Sequence, residues 1–349
     1  MANWGDFHNV TGAGWSAFWR ISKADGSGLE LWWADFKGKR VLWRGTQPLA
    51  IVPYHHPVAF PTKGDSTFKD GLNPQSDGAS FLALKFQAPD SNLGHTSPWN
   101  AAKDTEAVFV EVEPASHFKP ETLAISAKFQ CGWYQYLHRW EFSSDGVIEP
   151  NIAMGGALNP YAPDASHVHH MYFRIDLDID GFQSDLFEVF EHQSFQHPSG
   201  DVWTTQANQG KFLADPKSSR KFRVRDLVSA SSPGTPRGYE IELPQSAGVD
   251  KHGTGDVWAT IYRGDSLQQG EDVGSDALCT DAAVTAYATG PLNTVNGSDV
   301  VLWVVIRHHH EPRERAEEKV YLPYHYAHFS IVPRGFEIFR EPPAGGHDG

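Results

Sequence analysis

The chain has 349 residues, enough for one large domain or two ordinary ones, and its 40% hydrophobic and 13% aromatic content suits a well-filled globular core. Its formal net charge of -14 argues against binding to nucleic acid or to an anionic membrane, and no apolar run reaches the roughly 18 residues that a spanning helix needs. Cys131 and Cys279 are too few for a disulfide framework and fit a reducing, cytoplasmic setting, although nothing in the sequence decides whether they pair.

From the N-terminus onward the signals are those of strands. The opening MANWGDFHNVTGAGW has no basic region followed by an apolar stretch, so it does not read as a signal peptide. Short apolar or alternating runs follow at Ser16 to Ser22, Leu29 to Phe36, Ala107 to Val112, Leu186 to Phe190, Tyr239 to Leu243, Val257 to Tyr262 and Val300 to Ile306. They are rich in β-branched and aromatic residues, which suit a pleated, half-buried surface. Turn clusters such as Asp25-Gly26-Ser27-Gly28 and Ser143-Ser144-Asp145-Gly146 separate them. Pro61 to Ser80, Asn159 to Ala165, Ser229 to Gly238 and Ser246 to Gly255 read as long loops. Asp215 to Leu227 and Glu311 to Lys319 are charged enough for a short helix or a solvated loop, and residues 341–349 read as a flexible tail. No segment has sustained helical periodicity, and no stretch has the length of a domain linker. The expected fold is a single all-β domain over 1–349, a large antiparallel β-sandwich.

Among the 18 histidines, the placement of a few matters most. His167 and His169 stand at i and i+2 in His-Val-His-His-Met-Tyr-Phe, so on a strand both project from one face while His170 projects from the other. Two imidazoles so placed can converge on a metal. A third can come from the run His308-His309-His310, which follows the apolar strand beginning at Asp299. Three imidazoles with open positions suit Cu(II), Zn(II) or Fe(II). A cupin, the usual rival for such a pair, requires a glutamate soon after the second histidine, where this chain has Phe173 and Arg174.

Several separated motifs resemble the catalytic domain of copper amine oxidases. His167, His169, Arg174, Asp176, Asp178 and Asp180-Gly181 follow the order of that family's metal strand. His310-Glu311-Pro312-Arg313-Glu314 resembles its third-ligand motif and selects His310 over His308 and His309, although Arg315 stands where the motif closes on glutamate. Gly132-Trp133-Tyr134-Gln135-Tyr136, followed by Trp140 and Asp145-Gly146, resembles the strand whose tyrosine becomes topaquinone. Ile51-Val52-Pro53-Tyr54 resembles the segment whose tyrosine hydrogen-bonds that quinone. The resemblance runs from about Trp15 to Phe339, without the family's small N-terminal domains.

The resemblance implies a homodimeric copper-dependent oxidoreductase that uses O2. Cu(II) would be held by His167, His169 and His310, and Tyr134 would give topaquinone. Primary amines would be turned into aldehyde, ammonia and hydrogen peroxide, with Asp70, or its rival Asp65, taking the proton and Tyr54 beside the quinone. A peripheral Ca2+ would sit on Asp176, Asp178 and Asp299 with the carbonyls of Leu177 and Val300. Trp133 and Gln135 replace the family's asparagine and acid, so slow or incomplete quinone formation is expected, with simple primary amines as poor substrates. Two further readings stay open: a copper enzyme with unmodified Tyr134 acting on a specialised metabolite, and a non-catalytic metal-binding scaffold. Cys131 stands three residues before Tyr134 and, by parity in a regular strand, faces away from it.

Overall fold

The computed structural model describes residues 7–21, 28–54, 66–71, 82–84, 108–131, 134–156, 167–179, 181–182, 184–191, 202–215, 220–227, 237–244, 256–262, 294–310 and 322–335. At 53–54, 66–71, 82–84, 130, 156, 202, 310 and 322–326 the description covers the backbone alone. In chain order the strands are β1 (His8–Gly12), β2 (Trp15–Ile21), β3 (Leu29–Phe36), β4 (Lys39–Tyr54), β5 (Ser66–Gly71), β6 (Leu82–Leu84) and β7 (Val108–Glu113). They continue with β8 (Thr122–Cys131), β9 (Tyr134–Ser143), β10 (Ile148–Gly156), β11 (His167–Leu177), β12 (Asp185–Glu191), β13 (Val202–Thr205) and β14 (Gly210–Phe212). The last are β15 (Lys221–Asp226), β16 (Gly238–Glu242), β17 (Val257–Ile261), β18 (Val300–His310), β19 (Leu322–His328) and β20 (Ser330–Arg334).

These strands form two antiparallel sheets. The first runs β1-β2-β3-β4-β11-β18-β17-β14, with β5 also on β4. The second runs β13-β12-β15-β16-β20-β10-β9-β8-β6, with β19 on β10 and β7 on β8. Alternation explains which face each strand buries. In β2, Trp15, Ala17 and Trp19 are buried while Ser16 and Phe18 are partly exposed. In β15, Phe222 and Val224 are buried between partly exposed Arg223 and Arg225. The inward residues of both sheets meet in one core, with Leu42, Phe173 and Ile175 from the first and Trp140, Phe142 and Ile331 from the second. Each large apolar side chain so buried is worth roughly 1.5–3 kcal/mol. Their number makes this layer, rather than the outer ion pairs, what holds the sheets together. Gly45 in β4 admits the Trp140 ring: a Cβ there would lie 2.5 Å from Trp140 Cη2.

The fold is thus the expected antiparallel sandwich, with three local corrections. Ser66–Gly71, inside the expected loop of Pro61 to Ser80, is a strand because β4 offers it a paired edge from Leu49 to Tyr54. Lys221–Asp226, inside the expected helix or loop, is a strand whose Lys221, Arg223 and Arg225 take the outer face. Cys131 does not share a continuous strand with Tyr134. The two end adjacent antiparallel strands and are register partners, so they face the same side. Asn159 to Ala165, Ser246 to Gly255, Glu311 to Lys319 and the tail 341–349 lie outside the described residues, as does most of Ser229 to Gly238.

Candidate metal centre

The pairing of three strands brings the expected site segments into one row. In β11, His167 pairs with Tyr54 of β4 on one side and with His310 of β18 on the other. The first sheet therefore sets the backbones of Tyr54, His167 and His310 side by side, although they are far apart in sequence. His169 lies two residues along β11 on the same face and pairs with His308. His308 is partly buried and His309 exposed.

The second sheet supplies the other half. Tyr134 and Tyr136 sit at alternate positions of β9 and face across the sandwich towards β11. The Tyr134 hydroxyl is 3.0 Å from His167 Nε2, which is 3.0 Å from His169 Nε2. The His169 ring meets the Tyr134 ring edge-on at 4.8 Å between centroids. Three donor atoms thus point to a common place, and all three side chains are buried, His169 completely and Tyr134 to 2% exposure. His169 Nδ1 lies 3.1 Å from the Tyr136 hydroxyl. When Nε2 keeps its lone pair for a metal, Nδ1 carries the proton and donates to Tyr136, the usual outer support of a ligating imidazole. Tyr136 was missed as a functional residue. Its signal was its position, two residues after Tyr134 on a strand of period two, matching the spacing of His167 and His169.

A second polar cluster lies at the far end of β11. Arg174 Nη2 donates to Asp176 Oδ2 at 3.0 Å, and both are fully buried. Burial and then the neighbouring Asp176 push the Asp178 carboxyl up to about 6. Burial, with Asp176 and Asp178 adding to it, pushes Asp299 up to about 8. Asp185, at the start of β12, is fully buried and is pushed up to about 9 by burial and by its neighbours Asp299, Asp178 and Asp226, against one hydrogen bond at 3.3 Å from the Val300 N–H. Oδ1 of Asp178, of Asp185 and of Asp299 makes no hydrogen bond among the described residues. These acids crowd together, yet among the described residues no three His, Cys, Asp or Glu side chains stand close enough to hold a metal. A cation there would have to draw them in. Asp185 was missed because a single acid at a strand start carries no motif.

The backbone of Asp70 pairs with Ala50, which pairs with Met171 in β11. Met171 shares the pleat face of His167 and lies roughly 13 Å along the strand from it, at about 3.3 Å per residue. The side chains of His310, Tyr54 and Asp70, and the whole of Asp65, Trp133 and Asp180, lie outside the description. Gln135 is partly exposed, at the alternate position to Tyr134 and Tyr136. Cys131 is buried and in no disulfide, and Cys279 lies outside the described residues.

The model of one protein family, "Copper amine oxidase, enzyme domain", matches residues 108–344. A peroxisomal copper-containing amine oxidase, alpha 2, of Arabidopsis thaliana is 21% identical over 326 residues, covering 78% of this chain and 46% of that protein. A primary amine oxidase of Lens culinaris is 24% identical over 380 residues, covering 86% and 54%. The chain thus spans about half the length of these relatives. Among solved structures, a copper-containing benzylamine oxidase from Hansenula polymorpha superposes with a TM-score of 0.65 at 17% identity, over 96% of this chain and 62% of that one. Pichia pastoris lysyl oxidase gives 0.60 at 17% identity, over 93% and 51%. At such identities the structural likeness establishes the fold.

Proposed function

Because this chain belongs to the copper amine oxidase family, we propose that it is a copper-dependent oxidoreductase that uses O2 to oxidise primary amines, with Tyr134 as the source of its quinone. The observation that carries this reading is the meeting of Tyr134 Oη, His167 Nε2 and His169 Nε2 across the sandwich at 3.0 Å spacings. Imidazole nitrogen suits copper, and the buried phenol beside it is the group that family members oxidise. When bound, copper supplies one-electron exchange with O2.

The chain's own residues divide the remaining tasks. His167 and His169 hold the metal from one strand, and His310, its row neighbour in β18, is the third ligand. Tyr136 fixes the His169 ring. The core around Tyr134 keeps water from the ring. Tyr54, on the other side of the same row, is assigned to the quinone oxygen. Asp70 is assigned by family resemblance as the base that takes the substrate proton; its backbone pairs with Ala50, the partner of Met171 in β11. A Ca2+ is assigned to Asp176, Asp178 and Asp299, with the carbonyls of Leu177 and Val300 and with Asp185 added to the set, on the strength of their crowding. We assign a homodimer by family, which sedimentation will test.

Replacing His310 with Ala removes copper at this site and leaves a folded β protein, whereas His308→Ala does much less. Elemental analysis together with circular dichroism reads both. Full copper retention in the His310 variant overturns the ligand assignment.

A further inference from the structure

We infer that Tyr134 has a second oxidative fate in this chain: a thioether between Cys131 Sγ and the Tyr134 ring carbon next to the hydroxyl. This rests on the copper reading above. Two independent observations carry it. Cys131 ends β8, Tyr134 begins β9, and the two form the last register pair of that hairpin. Cross-strand partners project from the same face with Cβ atoms roughly 4.5–5.5 Å apart, which brings a thiol against the flank of the ring. Both are in the sandwich core, at 1% and 2% exposure, and Cys131 is in no disulfide. The second observation does not involve the cysteine. The hydroxyl of the same tyrosine lies 3.0 Å from His167 Nε2, and the two imidazoles converge beside it, which points to a redox metal touching this phenol.

A buried cysteine elsewhere in a core is a small inert hydrophobe, and its chemistry is decided by its neighbours. Here the neighbour is a phenol held against a pair of imidazoles. The step balances as follows. The Cys131 S–H and one Tyr134 ring C–H are broken, and one S–C bond forms. Two electrons and two protons pass to O2, which becomes hydrogen peroxide. The product is a phenol with sulfur next to its hydroxyl, easier to oxidise by one electron than tyrosine. It is also tethered to the neighbouring strand. A ring tethered to the neighbouring strand is held in place and already modified, so the thioether and the quinone compete for one residue.

The test is to add Cu(II) aerobically to metal-free protein, denature and reduce it, alkylate thiols, and measure the tryptic peptide of residues 129–139, which carries both side chains. The expected result is a peptide lighter by two hydrogens, without alkylation at Cys131 and without fragmentation between Cys131 and Tyr134. Cys131→Ser is expected to abolish this species and raise the yield of the peptide that has gained two oxygens and lost two hydrogens at Tyr134. Stoichiometric copper by elemental analysis, with Cys131 fully alkylated in the wild type, overturns the thioether and leaves the copper site standing. Failure to bind copper overturns both.

Discussion

Tyr136 decides which nitrogen of His169 faces His167. Its hydroxyl, 3.1 Å from Nδ1, holds the ring so that Nε2 faces His167. Tyr136→Phe keeps the ring in the core and removes only that partner, and outer-shell losses of this kind typically cost 10–100-fold in metal affinity. A chelator-competition titration is expected to find copper weakened by about that factor, with thermal stability of the metal-free protein little changed. His138 shows the opposite use of burial. It lies in the core against Phe129, and burial pushes its imidazole down to about 3. The folded chain holds it neutral while the unfolded chain protonates it at its ordinary value. The stability it contributes is therefore complete above pH 6.5 and falls as the pH drops towards 3, by about 1.4 kcal/mol per unit. His138→Leu should flatten that part of the acid-unfolding curve measured by urea titration. The histidine pair was legible as a candidate because chemistry and strand period coincide there, and Tyr134 was a candidate through the family resemblance of its strand. Cys131 was misread because parity counting assumed one strand, whereas Cys131 and Tyr134 belong to two, which makes the parity rule point the wrong way.

At the scale of strands, charge is carried where the sandwich is already closed. Glu30 of β3 is fully buried between Arg20 at 2.5 Å and Arg44 at 2.9 Å, with the Trp32 indole donating at 2.8 Å. Burial alone would raise this carboxyl, but Arg44 and Arg20 outweigh it and hold it below the usual range. Glu30→Ala leaves two buried guanidinium groups without their shared counter-ion, and such breaks typically cost about 3–5 kcal/mol, to be read by denaturant unfolding. The acids around β11 and β12 behave in the opposite sense. The unfolded chain ionises them from about pH 3.9. The folded chain keeps protons on Asp178, Asp299 and Asp185 to about 6, 8 and 9. Their contribution to stability is full at low pH and is lost as pH rises through those values. Millimolar calcium is expected to raise the melting temperature more at pH 8 than at pH 5, and Asp185→Asn to reduce that difference. Equal melting curves with and without calcium at pH 8 count against the second ion. The family resemblance named Asp176, Asp178 and Asp299, but no motif announced Asp185, which approaches them through folding alone. Lys221–Asp226 escaped for a related reason: Arg223 and Arg225 suggested solvent, yet both pair with Glu188 on the outer sheet face.

For the whole molecule, the division of the site between two sheets has a consequence in time. His167 and His169 belong to one short segment, so a nascent β11 already presents both imidazoles before any long-range contact exists. Tyr134 belongs to a hairpin whose register with β8 is equally local. What joins them is only the closing of the sandwich, with Trp140 seating at Gly45 and Phe173 meeting Trp140. Local pairs form early, and contacts distant in sequence form late. On the proposed ligand set, His167 and His169 are together before the sandwich closes, and the phenol reaches them only after the apolar layers have locked. Under the copper reading proposed above, this order of assembly acts as a safety catch: the tyrosine meets the histidine pair only once the surrounding protein is able to contain oxidising chemistry.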